Sequence, residues 1–195
     1  LVRLEEWVAA AVVLEGFREA HPEHELHREA TKQVALVYRE QGEVARAAEE
    51  YERVAREAEE PELRREALLL AGELFEEAGV AQRALGAYLA YVEHFPEPVE
   101  LSAEARFKIA EIHHTTGDEK SRGEQLRWIV DADRLAGAER TPRLRVLAGR
   151  SALVITEPAY QRFLATSLVQ PFERSPKKKK KRMDEALSAY GRLVD

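Results

Sequence analysis

The chain has no cysteine, which excludes thiol and disulfide chemistry and leaves histidines and carboxylates as the side chains that could react. His21, His24 and His27 recur every third residue in HPEHELH. Two of them on one helical face with a third ligand would make a metal site, and His24 and His27 meet the first condition if a helix begins at Pro22. No cysteine or aspartate completes the set, so the stretch is expected to be a polar turn without a metal. His113 and His114 stand just before TTGD. Acid–base work there would need a nucleophile or carboxylate held against a ring, and no motif around them supplies one, so His113 is expected to pack between helices. With 36 acidic residues, paired carboxylates arise by chance and single out no catalytic pair. No phosphate loop, dinucleotide fingerprint, nucleophile elbow or zinc-protease motif is present. The expectation is a protein that is not an enzyme and takes no cofactor.

Lys177, Lys178, Lys179, Lys180, Lys181 and Arg182 are consecutive and could bind a phosphate-bearing surface by releasing its counterions. No aromatic residue is interleaved with them, so a stacking platform for single-stranded nucleic acid is absent. The formal net charge of −6 hides an asymmetry. Residues 1–98 carry 22 acidic and 11 basic side chains, whereas residues 99–195 carry 14 and 19.

The elements that must position these residues are legible around Glu66 to Pro96. Leu68, Ala71, Gly72 and Phe75 form one face of a helix that stops near Gly79. Ala84, Tyr88 and Tyr91 form the face of a second helix, closed by Pro96. Gly72 and Ala84 fall where two antiparallel helices must approach, and Phe75, Tyr88 and Tyr91 fill the space around that crossing. Moving back 37 residues gives Ala35, Tyr38, Gly42, Ala47, Tyr51 and Val54, with Pro61 just beyond. A further shift of 37 gives a second helix alone, with Ala10, Leu14, Phe17 and Pro22. Moving forward 38 gives Ala110, His113, Gly117, Leu126 and Ile129, with Arg122 in place of the small residue.

This spacing of small, large, Gly, small, large and Pro resembles the tetratricopeptide repeat (TPR). The resemblance implies an all-α, right-handed superhelical solenoid of antiparallel helix pairs in one array over residues 1–195. Residues 1–22 would be the second helix of a partial repeat, 28–61 and 64–96 full repeats, and 98–134 a weaker one. Residues 142–195 would be a last repeat interrupted by an insertion, 157–182. Thr141 is the expected cap of its first helix, before Pro142. Its second helix is expected from Met183 to Val194, where Ala186, Tyr190 and Leu193 reproduce the spacing of Ala84, Tyr88 and Tyr91. The first part of the insertion can make a short amphipathic helix with Tyr160, Phe163, Leu164, Leu168 and Val169. Trp7, Val8, Ala11, Leu14 and Phe17 are too apolar for water and should pack on the first full repeat or on an upstream helix.

First helices line the concave groove in the family, which implies ligand contact at Glu29, Lys32, Leu36 and Arg39, at Glu66, Leu69, Glu73 and Glu76, and at Glu104, Phe107, Glu111 and His114. Family members that clamp a peptide carboxylate use Lys, Asn and Arg there; this chain has no Asn. The mainly acidic groove with Leu36, Leu69 and Phe107 as floor favours a basic or amphipathic helix. The expected function is a non-catalytic protein-interaction scaffold. Self-assembly within a larger repeat protein, and docking of the basic insertion on anionic lipid or nucleic acid, are the alternatives.

No apolar run spans a bilayer. The interrupted start, without an initiator Met, is not a signal peptide and looks like a piece of a longer chain. The Arg- and Ala-rich repeats are similar to envelope-associated TPR proteins of Gram-negative bacteria, a resemblance that implies a periplasmic or envelope setting, with the cytoplasm as the alternative.

Overall fold

The computed structural model describes residues 2–168 and 175–191, with side chains from Glu6 onward. Among these residues every regular element is helical. The fold is all-α, built from antiparallel helix pairs packed in succession, and the helices fall into two compact units, Leu1–Pro96 and Glu97–Asp195.

The first unit holds α1 (Val2–Ala20), α2 (His27–Glu40), α3 (Val44–Glu57), α4 (Pro61–Glu77) and α5 (Ala81–His94). The turns explain the repeat period. Gly42 and Gly79 have φ of 79° and 72°, a left-handed conformation that a side chain would strain. Each closes its helix with the same pair of bonds. Gly42 N–H donates to the Arg39 carbonyl at 3.0 Å and Glu43 N–H to that of Tyr38 at 2.9 Å. Gly79 N–H donates to Glu76 at 3.0 Å and Val80 N–H to Phe75 at 2.8 Å.

At the α4–α5 crossing a Cβ on Gly72 would lie 2.6 Å from the Tyr88 ring, so the glycine is what lets the tyrosine in. Tyr88 is buried, as are Phe75, Ala84 and Tyr91. One repeat earlier, Ala35 replaces the glycine and the matching Tyr51 stays half-buried. Helix α1 is held by Arg18, whose guanidinium forks onto buried Glu50 of α3, and by Glu15, which accepts a hydrogen bond from Tyr38. Ala11 is buried and Trp7, Leu14 and Phe17 are half-buried, whereas Val8, Val12 and Val13 are exposed.

The second unit holds α6 (Val99–Thr116), α7 (Glu119–Ala136), a 3-10 turn at Gly137–Glu139, α8 (Pro142–Leu164) and α9 (Ser175–Gly191). Gly117, with φ of 80°, repeats the turn, and Asp118 N–H donates to the His113 carbonyl at 2.9 Å. Ala110 and Leu126 take the places of Gly72 and Tyr88, a larger small residue facing a smaller large one. They form the core with Ala103, Ile129, Leu144 and Ala148. Thr141 caps α8, its hydroxyl accepting from Leu144 N–H at 3.1 Å and donating to Glu100 at 2.6 Å.

Two features of the last repeat differ from expectation. Residues 157–164 form no separate short helix; they continue α8 through Pro158. The proline removes one backbone donor, but buried Thr156 and Ala159 hold the segment on its neighbours, and packing outweighs the local cost. The basic run is also helical, because α9 begins at Ser175 and not at Met183. Ala186 is buried and Tyr190 meets Tyr160 edge-on at 6.1 Å. Val169, Leu193 and Val194 lie outside the described residues.

Candidate peptide-binding face

Helix α2 turns Ala30, Thr31, Val34, Ala35, Val37 and Tyr38 inward, and α4 turns Ala67, Leu68, Ala71, Gly72, Leu74 and Phe75 inward. Those two sets are 37 residues apart, so the faces left over correspond position by position. On α2, Glu29, Leu36 and Arg39 are exposed and Lys32 is half-buried; on α4, Glu66 and Glu73 are exposed and Leu69 and Glu76 are half-buried. Leu36 keeps 41% of its surface, a large value for leucine on a helix this well packed. Four carboxylates and two cations therefore flank two leucines.

Not all of these groups are equally available. Glu29 accepts from Gln33 at 2.8 Å, and Glu76 accepts from the Tyr88 hydroxyl at 2.9 Å. Burial, and then the bond to Glu76, push the Tyr88 phenol well above its ordinary range. Glu76 is thus a strut beneath the face, while Glu66 and Glu73 are its outward charges.

The α6 positions behave differently. Glu104 is ion-paired with Arg143 of α8, which also lies 3.9 Å from Glu100. Phe107 is covered by Arg150, whose guanidinium carbon is 4.7 Å from the ring centroid. Glu111 and His114 are exposed. Sequence reasoning assigned no residue of α8 to this face. A shift of 39 from Glu104, Phe107, Glu111 and His114 yields Arg143, Val146, Arg150 and Leu153, all four exposed. The signal was present, but the last repeat runs one residue longer than the one before. Its two arginines balance the glutamates of α6.

The histidines are accounted for by local structure. His21 and His24 stack around Phe17 at 5.2 and 5.3 Å, and His24 Nδ1 accepts from Leu26 N–H at 3.1 Å. His27 lies 3.7 Å from Glu57. Among the described residues no three His, Asp or Glu side chains converge as a metal-ligand set. Carboxylates do stand beside the second pair: Asp118 is 3.7 Å from His113 and Glu119 is 2.7 Å from His114. Both belong to the α6–α7 turn. Asp118 caps α7 by accepting from Ser121 N–H at 3.0 Å, and hydrogen bonds from Ser121 hold its carboxyl below the usual range. Glu119 also takes Arg122 at 2.9 Å; His114, ahead of Arg122, holds its carboxyl low. The hydroxyls of Thr115 and Thr116 donate to backbone carbonyls of α6, so neither is presented as a nucleophile.

A second repeated feature was also missed. Arg46 lies over the Tyr38 ring at 4.3 Å and Arg83 over the Phe75 ring at 4.5 Å, each eight residues beyond its ring and across the glycine turn. Each arginine clasps the two helices of its repeat. In the third repeat His113 takes the ring's place and Ser121 the arginine's, and the clasp is lost.

No curated protein matches the chain. Among solved structures, a tetratricopeptide repeat protein from Parabacteroides merdae shares 14% identity, over 99% of this chain and 74% of that one, with a TM-score of 0.49. BtubC (BKLC) from P. vanneervenii shares 14% identity over 98% and 85%, with a TM-score of 0.49. The tetratricopeptide repeat family model matches residues 66–98, the helix pair built around Gly72 and Tyr88.

Proposed function

We propose that the chain is a non-catalytic protein-interaction scaffold whose α2–α4 face binds a basic, amphipathic helix. The observation that carries this reading is the contrast between the two sides of α2 and α4. One side is packed throughout. The other leaves Leu36 and Leu69 at the surface between Glu29, Glu66 and Glu73. Leucines in such a setting favour the apolar stripe of a helix, and the carboxylates favour Lys or Arg beside that stripe. On the same reading the scaffold works at a bacterial cell envelope, the setting implied by its resemblance to envelope-associated repeat proteins.

The test is fluorescence anisotropy with a labelled helical peptide that carries a Leu stripe flanked by Lys, against the same peptide with Glu for Lys. The Lys peptide should bind and the Glu peptide should not, and E66K/E73K should abolish the difference. Glu76 is left intact because it supports Tyr88. Equal binding of both peptides, or an unchanged preference in E66K/E73K, would remove the α2–α4 face from consideration.

A further inference from the structure

The α8–α9 hairpin carries a charge pattern at one end that its own packing does not neutralise. Lys179 lies over the Phe163 ring at 4.8 Å and Arg182 pairs with Glu185 at 2.6 Å. Lys177, Lys178, Lys180 and Lys181 are exposed, and among the described residues none of the four closes an ion pair, although Lys181 lies near enough to Glu185 to feel its charge. Their spacing sets like charges three and four residues apart on one helix, which is unfavourable. They also occupy the first turns of α9, where the helix dipole repels cations. The hydrogen bond from Arg182, and then the charges of Arg182, Lys181 and Arg162 of α8, hold the Glu185 carboxyl below its usual range, so Arg162 extends the cluster.

Apolar surface stands at the same end. The Lys179–Phe163 contact brings the start of α9 to the end of α8, where Leu164 and Leu168 keep 49% and 55% of their surface. The nearby rings are engaged within the hairpin, Tyr160 with Phe163 at 6.4 Å and with Tyr190 at 6.1 Å. Among the described residues, then, aliphatic side chains rather than free rings stand beside the lysines. Clustered lysines beside exposed leucines suit the boundary between phosphate headgroups and acyl chains.

We propose that this hairpin end docks on the surface of an anionic phospholipid bilayer, with the four exposed lysines on headgroup phosphates and Leu164 and Leu168 entering the acyl boundary. No helix among the described residues is long and apolar enough to cross a membrane, and the contact is peripheral. It uses none of the α2–α4 face.

Co-sedimentation of the whole chain with vesicles tests this. The protein should pellet with phosphatidylcholine vesicles containing about a third phosphatidylglycerol, stay in solution with pure phosphatidylcholine, and be released by about 0.5 M salt. K177Q/K180Q/K181Q should bind roughly 100-fold more weakly, from about fivefold per lysine. L164S/L168S should lose several-fold at unchanged charge, with circular dichroism confirming that both variants fold. E66K/E73K should bind vesicles like the parent, which separates this surface from the peptide-binding one. Equal binding to neutral vesicles, no binding to either kind, or wild-type binding by the lysine variant overturns the proposal. So does duplex DNA binding without vesicle binding, which would make the ligand a soluble polyanion, or no loss in L164S/L168S, which would leave a contact with headgroup charge alone and no entry into the acyl boundary.

Discussion

Arg18 of α1 reaches across 32 residues of sequence to both carboxylate oxygens of Glu50 in α3, and both side chains are more than nine-tenths buried. The pair ties α1 to the α2–α3 helix pair. Removing one member of a buried pair leaves a desolvated charge and costs about 3–5 kcal/mol. Arg53, 3.4 Å from Glu50, relieves part of that cost. Arg18→Met should therefore lower unfolding stability by about 3 kcal/mol in urea titration, and R18M/E50L should recover much of the loss. If the double variant is no better than the single one, the pair does more than neutralise itself.

The Gly72–Tyr88 contact makes a prediction about size. Ala at position 72 would drive a Cβ into a fully buried ring, and overpacking of this kind costs about 1–3 kcal/mol. The second unit has Ala110 and Leu126 at the matching places, so G72A/Y88L should be less damaged than the two single changes added together. Additive losses in urea denaturation would show that the two repeats do not share this packing rule.

Those pairs show what the sequence could reveal and where it stopped. Gly42, Gly79 and Gly117 were legible because only glycine takes the left-handed turn at low cost, and their register located the α2–α3, α4–α5 and α6–α7 pairs. Thr141 was legible because a cap is a local bond. The clasp of Arg83 over Phe75 was not, since arginines are common here and nothing local distinguishes a stacked one. Arg143 and Arg150 were missed because a one-residue change of period moves every later side chain to a new angle. The end of α8 was misread because Pro158 argues locally against a helix, while the packing of Thr156 and Ala159 decides otherwise.

Tyr38 ties stability to alkaline pH. Burial, then its hydrogen bond to Glu15, push its phenol from 10.0 up to about 12. A phenol raised in the folded state favours folding below its unfolded value, and that contribution is lost as pH rises through the folded one. Stability should fall between pH 10 and about 12. In Tyr38→Phe the fall over this window should be shallower, and the ultraviolet phenolate titration should lose its phase near pH 12. An unchanged profile would place the alkaline loss elsewhere.

The cap of α8 is a third structural test. Thr141→Ala removes the acceptor for Leu144 N–H and the donor to Glu100, and should cost about 1–2 kcal/mol, while Thr141→Ser should cost less than half of that. Hydrogen exchange should locate the loss in the first turn of α8. Uniform loss across α8 would mean that the hydroxyl acts on the whole unit.

The two arginines of α8 provide a test of whether charge balance selects the ligand. On the α2–α4 face Glu29, Glu66 and Glu73 outnumber Lys32 and Arg39 even with Glu76 committed to Tyr88. On the α6–α8 face Arg143 and Arg150 offset Glu104 and Glu111. Both arginines are exposed, so removing them should cost little stability, about 1 kcal/mol or less each. R143A/R150A would uncover Phe107 and leave Glu100, Glu104 and Glu111 beside Val146 and Leu153. That combination matches the acidic, leucine-floored character of the first unit. A basic amphipathic peptide should then bind with a stoichiometry near one to the parent protein and near two to R143A/R150A in calorimetry. If E66K/E73K is added to that variant, the first site should vanish and the second remain. A stoichiometry that stays near one would show that the α6–α8 face lacks the shape for a helix whatever its charge, and peptide binding would then belong to the first unit alone.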